Sequence, residues 1–342
     1  MPSTPRRLPS GSWNCYAYLG KDAEGKLIRK SVTRATKAEA RAAAVELEAD
    51  AERTAAISDD LTLSEAVRKY LDSRANLHSP STRRSNEAIF KNHLGILADV
   101  PVSRITSQMM QSYVNDLSRE LTPKTVRNIY GLLASSIRFS ATEKRLSVKL
   151  PPKQAEEIQI PTLEQIKDIQ RVAETRGDTD LVLAIMLASQ LGLRLGEVCA
   201  LTFADVRGGS VRINKSRVLT PEREWTIKPP KSKAGTRTLP QTPQIAEALH
   251  SFSGAQEDFV IQSTPAAIYD RFQRIRSKFG YTFRFHDLRH YNASVMISLG
   301  VPIFYIVRRL GHEDDKMVKR VYGHIMDQKQ DDINAMMADF FK

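Results

Sequence analysis

The 342-residue sequence predicts a mainly α protein with small β-sheets (α+β). A small β-hairpin/helix module comes first, then a helical domain, then a mixed α/β domain. Apolar residues after residue 60 recur at helical spacing, as in Ile129, Leu132, Leu133 and Ile137. Strand-like runs are short and few, at residues 12–19, 27–33, 224–227 and 236–239. Helix start and stop signals punctuate the rest: capping boxes, proline at the first helical position, and glycine after the last.

Along the chain, Trp13, Cys15, Ala17 and Leu19 alternate with Asn14, Tyr16 and Tyr18, the period of a half-buried strand. A turn containing Asp22 and Gly25 leads to a second strand at 27–33, with room for a third. Thr36 and Glu39 then form a capping box opening an alanine-rich helix to about residue 53. From residue 61 to 150 the pattern is helical throughout, with a capping box at Thr62 and Glu65 and Pro123 placed at N1 after Thr122. Four or five helices fit this length. Residues 151–161 carry Pro151, Pro152 and Pro161 without periodicity and read as a linker. Another capping box, Thr162 with Gln165, opens the last domain, 162–342, in which residues 181–191 read as a buried helix. Helices ending at Gly300 and Gly311 follow. An amphipathic tail at 331–341, anchored by Ile333, Met336, Met337, Phe340 and Phe341, either packs on its own domain or docks into a neighbouring subunit.

The formal net charge is +12. Such a balance favours a polyanionic partner, DNA or RNA first and an anionic membrane surface second. Residues 1–45 hold nine Lys/Arg against three Asp/Glu, and residues 61–150 fourteen against seven, so the basic surface spans both. Cys15 and Cys199 are too few and too far apart for a disulfide framework or a zinc site, which points to a reducing cytosol. No apolar run is long enough to span a bilayer.

The chemistry concentrates in HDLRH at 286–290, LGH ending at His312, and RVYGH at 320–324. These stretches collect imidazoles, guanidinium groups and the Tyr322 phenol, groups suited to acting on a phosphodiester. A helix starting at His286 places Arg289 on the same face. His286 and His290 also have the helical spacing of two metal ligands, but no third ligand accompanies them, and neither a metal nor a cofactor is expected. Upstream, LGLRLGE at 191–197 puts Arg194 three residues before Glu197, so a carboxylate can hold the guanidinium. KSKAGTRTLP at 231–240 sets Lys231 before a turn between the runs at 224–227 and 236–239, with Lys228 and Lys233 as neighbours equally able to reach a phosphate.

Taken in order, these motifs resemble those of the tyrosine recombinase (phage integrase) family. The resemblance implies an arm-type DNA-binding module at 1–57, a helical core-binding (SAM-like) domain at 61–150, a linker at 151–161, and a catalytic domain with its C-terminal tail at 162–342. It implies that Arg194, Lys231, His286, Arg289 and His312 surround a scissile phosphate, with Glu197 in support and Lys231 protonating the departing 5′ oxygen. Tyr322 would be the nucleophile, ten residues after His312, leaving a 3′-phosphotyrosyl link. His290 and His324 would be structural or would support the side chains that touch the phosphate. It further implies a homotetramer acting on double-stranded DNA attachment sites in a bacterial cytoplasm, with an accessory DNA-bending or directionality factor as a further partner and no membrane. Two rival readings stand beside this one: a chromosome-dimer resolvase of the same superfamily, which should lack the N-terminal module, and a non-catalytic DNA-binding architectural or regulatory protein.

Overall fold

The computed structural model describes residues 2–21, 27–58, 61–141, 143–153, 158–230, 232–311 and 337. It divides into two compact units, Met1–Ala155 and Glu156–Lys342. Helices dominate and the sheets are small, so the mainly α, α+β expectation holds. Among the described residues, no helix is long and apolar enough to cross a membrane.

The first unit begins with a three-stranded antiparallel sheet of β1 (Arg6–Arg7), β2 (Trp13–Lys21) and β3 (Leu27–Arg34), in that order across the sheet. Alternation in β2 sends Cys15 and Ala17 inward, where they meet Val32 of β3 and Ala40 and Ala44 of α1 (Lys37–Ser58). Small residues on both faces let the helix lie close to the sheet. The capping box at the start of α1 is formed: Glu39 N–H donates to Thr36 Oγ1 at 3.2 Å, and Thr36 N–H donates to Glu39 Oε2 at 3.3 Å.

Four helices complete this unit: α2 (Leu63–Ser73), α3 (Pro80–Asn92), α4 (Ser107–Glu120) and α5 (Pro123–Ser140). Each N-terminus is capped by a hydroxyl, from Thr62, Ser79, Thr106 and Thr122 respectively. Such caps each contribute about 1 kcal/mol by satisfying backbone N–H groups that have no partner within the helix. Their apolar stripes close a core around Leu63, Val67, Ile105, Met110, Ile129 and Leu133. The chain leaving α5 stays fastened to this unit, since Lys149 N–H donates to Gln111 Oε1 at 2.7 Å and Arg127 Nε donates to Pro151 O at 3.0 Å.

In the second unit, α6 (Leu163–Thr175) packs on α7 (Thr179–Leu191), which is buried along nearly its whole length. Then come α8 (Leu195–Val198), β4 (Ser210–Ile213), β5 (Ser216–Leu219), β6 (Trp225–Lys228), β7 (Arg237–Pro240), α9 (Pro243–His250), α10 (Pro265–Lys278), α11 (Asp287–Ser298) and α12 (Ile303–Leu310). The core gathers α7 residues with Val211, Leu239, Phe272, Phe285 and Leu288.

The strand pairing corrects one expectation. Residues 224–227 and 236–239 are not the two arms of one hairpin around Lys231. β6 pairs with β5 and β7 pairs with β4, in two separate two-stranded sheets. The reason is local: Thr220 N–H donates to Glu224 O at 2.9 Å and Arg223 takes a positive φ of 66°, closing a tight turn between β5 and β6. The segment after β6 therefore crosses from one sheet to the other, with a short 3₁₀ turn at Lys233–Gly235. Lys228 ends β6 and Lys233 is exposed, while Lys231 lies outside the described residues, as do His312, Tyr322, His324 and nearly all of the tail.

Candidate active site

The site is organised by the C-terminal end of α7. A helix end leaves its last carbonyls without partners inside the helix and carries partial negative charge. Here those carbonyls recruit donors from α11 and α12. Asn292 Nδ2 donates to Ser189 O at 3.0 Å and Gln190 O at 2.9 Å, and Arg309 Nη2 donates to Gln190 O at 3.3 Å. Arg289 Nη1 donates to Gly192 O at 2.5 Å, and Arg289 Nη2 donates to Leu310 O at the end of α12. Arg289 is only 2% exposed, so its charge rests against two helix C-termini.

Gly192 makes this junction possible. Its φ is +69°, and a Cβ there would meet Leu310 Cδ2 at 2.6 Å and Asn292 Oδ1 at 2.9 Å. Only glycine meets both the backbone and the space requirement. Two residues on, the chain reaches Arg194, which is the N-cap of α8 rather than a residue within a helix. Glu197, at the third position of α8, turns back: its Oε2 accepts from Arg194 N–H at 3.0 Å and its Oε1 accepts from Arg194 Nη1 at 2.8 Å.

A second guanidinium reaches the same carboxylate. Arg237 Nη2 donates to Glu197 Oε2 at 2.9 Å and Nη1 donates to Oε1 at 3.4 Å. Burial alone would raise the Glu197 pKa, but the hydrogen bonds and charge of Arg237, with those of Arg194, outweigh it and hold the carboxyl at about 2. Arg237 and Glu197 are deeply buried, whereas Arg194 keeps 40% of its side chain exposed.

His286 is the N-cap of α11, not its first residue. It is exposed to solvent, and its ring stands edge-on to His290 with centroids 5.3 Å apart. Crowding by surrounding protein, then the charges of His290, Arg289 and Arg194, push its pKa down to about 4. That Arg289 and Arg194 both act on this imidazole places the three groups in one electrostatic neighbourhood. The pKa of His290 is lowered too, by burial first, against the opposing pull of Asp287.

Gly311 closes the arrangement. It ends α12 in the left-handed conformation, φ +66°, and a Cβ there would lie 2.9 Å from Ala234 O and 3.0 Å from Arg237 Nη1. The segment following Lys231 and the residue preceding His312 are therefore in contact beside Glu197. Arg194, Glu197, His286 and Arg289 are brought together, beside the C-terminal end of α12. Arg237, Asn292 and Arg309 join them without having been singled out from the motifs. One signal for Arg237 was present: it shares the inward face of β7 with Leu239, and a buried arginine needs an acid.

The model of the phage integrase family matches residues 161–329. A tyrosine recombinase described as XerC-like, from Caldanaerobacter subterraneus, is 22% identical over 94% of this chain and 95% of its own. The chain belongs to the tyrosine recombinase (phage integrase) family. A solved Tn1549 transposon integrase in complex with transposon right end DNA superposes with a TM-score of 0.65 at 16% identity, over 77% of this chain and 95% of that one. A lambda integrase tetramer bound to a Holliday junction superposes at 0.59 and 18% identity, over 93% and 94%. The matched range contains Arg194, Glu197, Lys231, Arg237, His286, Arg289, His312 and Tyr322.

The lowered pKa values of His286 and His290 lead to an expected pH dependence of stability. The ordinary histidine value is 6.5, and folding lowers His286 to about 4 and lowers His290 as well. As pH falls through this window the unfolded chain binds protons before the folded one, so stability is present above about 6.5 and declines towards about 4. Thermal melts from about pH 7.5 to about pH 5 should show a falling midpoint, with a flatter fall in His286→Gln. An unchanged slope in that variant would remove His286 as the cause.

Proposed function

We propose that this chain is a site-specific DNA recombinase of a phage or integrative element, cleaving and rejoining double-stranded DNA through a 3′-phosphotyrosyl link at Tyr322. The observation that carries this reading is the shared neighbourhood of Arg194, His286 and Arg289, with Glu197 bracing Arg194, at the C-terminal end of α12. Likeness in fold to lambda integrase along 93% of the chain supports the choice of integrase.

Attack on a phosphodiester gathers negative charge on the nonbridging oxygens of a five-coordinate transition state. Fixed guanidinium groups stabilise that charge without reorganising at the moment of reaction. Arg194, partly exposed and held by Glu197, and Arg289, immobilised by two helix ends, supply the cations. His286, neutral at pH 7, donates a hydrogen bond to a phosphate oxygen without adding charge. The Tyr322 oxygen bonds to phosphorus as the bond to the 5′ oxygen breaks; the phenol's proton is relayed to solvent through His312, and Lys231 gives the 5′ oxygen its proton. Because the phosphotyrosyl ester retains the energy of the bond it replaced, a new 5′ hydroxyl can reverse the step. The basic N-terminal unit holds the duplex, and a homotetramer in the cytoplasm of a bacterial host pairs two attachment sites.

A nicked duplex whose cleaved fragment diffuses away tests this directly. The wild-type protein should accumulate a denaturant-stable protein–DNA adduct with a free 5′ hydroxyl on the released strand. Binding without an adduct would leave the architectural or regulatory reading in its place.

A further inference from the structure

We propose that Arg237 is a positioning residue for strand cleavage: by neutralising Glu197 from the buried side, it leaves the Arg194 guanidinium a net positive charge to direct at the scissile phosphate. The inference rests on the cleavage reading above.

Stoichiometry is the first argument. One carboxylate serves two guanidinium groups, so the cluster of Arg194, Glu197 and Arg237 carries one net positive charge rather than none. The contacts divide by depth. Arg237, 5% exposed, grips both carboxylate oxygens from within, and Arg194, 40% exposed, takes Oε1 from the solvent side. If Arg237 were removed, the whole negative charge of Glu197 would fall on Arg194. A neutral, half-buried pair would then stand where the phosphate needs a cation.

Connectivity is the second argument. Arg237 Nη1 also donates to Gly235 O at 3.2 Å, and it lies 3.0 Å from where a Cβ on Gly311 would be. The same side chain thus touches the α8 motif, the segment following Lys231, and the residue preceding His312. Each of these strands of chain carries a residue assigned to the reaction, and Arg237 sets their spacing without touching DNA itself.

Single-turnover cleavage of the nicked substrate at saturating protein, with DNA affinity measured separately, tests this. Arg237→Met should slow cleavage about 100-fold, while affinity changes by less than about threefold. The deciding comparison is the double variant Arg237→Met with Glu197→Gln. Once the carboxylate is gone Arg237 has nothing to neutralise, so the double variant should cleave at least about fivefold faster than Arg237→Met alone. A bracing role without charge predicts the opposite, losses that accumulate, and a double variant no faster than Arg237→Met overturns the proposal. So does Arg237→Met cleaving within about threefold of wild type. If Arg237→Met does not fold, Arg237→Lys and Arg237→Gln decide: lysine should recover most of the rate and glutamine should not, and equal rates overturn the proposal. Failure of the cleavage reading looks different, since then the wild type itself forms no adduct.

Discussion

Arg289→Met is expected to lower the rate of cleavage of a nicked substrate by about 10³-fold and to destabilise the protein by about 3 kcal/mol. The two effects have separate causes at the same guanidinium. For stability, methionine fills the volume but cannot donate, so the Gly192 and Leu310 carbonyls lose a charged donor in an interior where little solvent can replace it. The C-terminal ends of α7 and α12 would then face each other with uncompensated partial negative charge. For cleavage, a cation aimed at the nonbridging oxygens disappears. Arg289→Lys should recover part of the stability and little of the rate, because one ammonium cannot span both carbonyls and still present a second edge. Thermal unfolding and single-turnover cleavage are the two measurements. A methionine variant that cleaves within about threefold of wild type would place Arg289 outside the reaction.

The other large effect is expected at Tyr322. Tyr322→Phe keeps the ring and removes only the oxygen, so DNA affinity should hold within about threefold while adduct formation falls more than about 10⁴-fold. A phenol with an ordinary pKa of about 10 is almost wholly protonated at pH 7, so its activation depends on the cations and imidazoles around the phosphate. Tyr305 on α12 is the control: it is 59% exposed, and Tyr305→Phe should form the adduct at the wild-type rate. An adduct formed by Tyr322→Phe would mean that another side chain is the nucleophile.

Much of the architecture was legible in the sequence because it is settled within a few residues. The capping boxes at Thr36, Thr62 and Thr162 depend on side chains reaching their own backbone, the stops at Gly300 and Gly311 on the positive φ that glycine adopts without strain, and all of them formed. Arg194 and Glu197 were also legible as a pair, being three apart. The partner of β6 was not. Whether residues 225–228 pair with the strand before or after them depends on the positive φ at Arg223 and on β7 pairing with β4 instead. Neither shows in the spelling of KSKAGTRTLP.

Residue order and chemical type settled which groups this recombinase possesses: a spaced set of arginines, histidines, a lysine and a tyrosine, with a basic surface ahead of them. How those groups are held came from packing alone. Arg237 and Glu197 are 40 residues apart, and Arg289 and Gly192 are 97 apart. Contacts of that range depend on where α7 ends and which donors α11 and α12 bring to its unpaired carbonyls. Charge sharing at Glu197 and the anchoring of Arg289 exist only once those helices have met, because a buried ion takes whatever partner the fold places beside it.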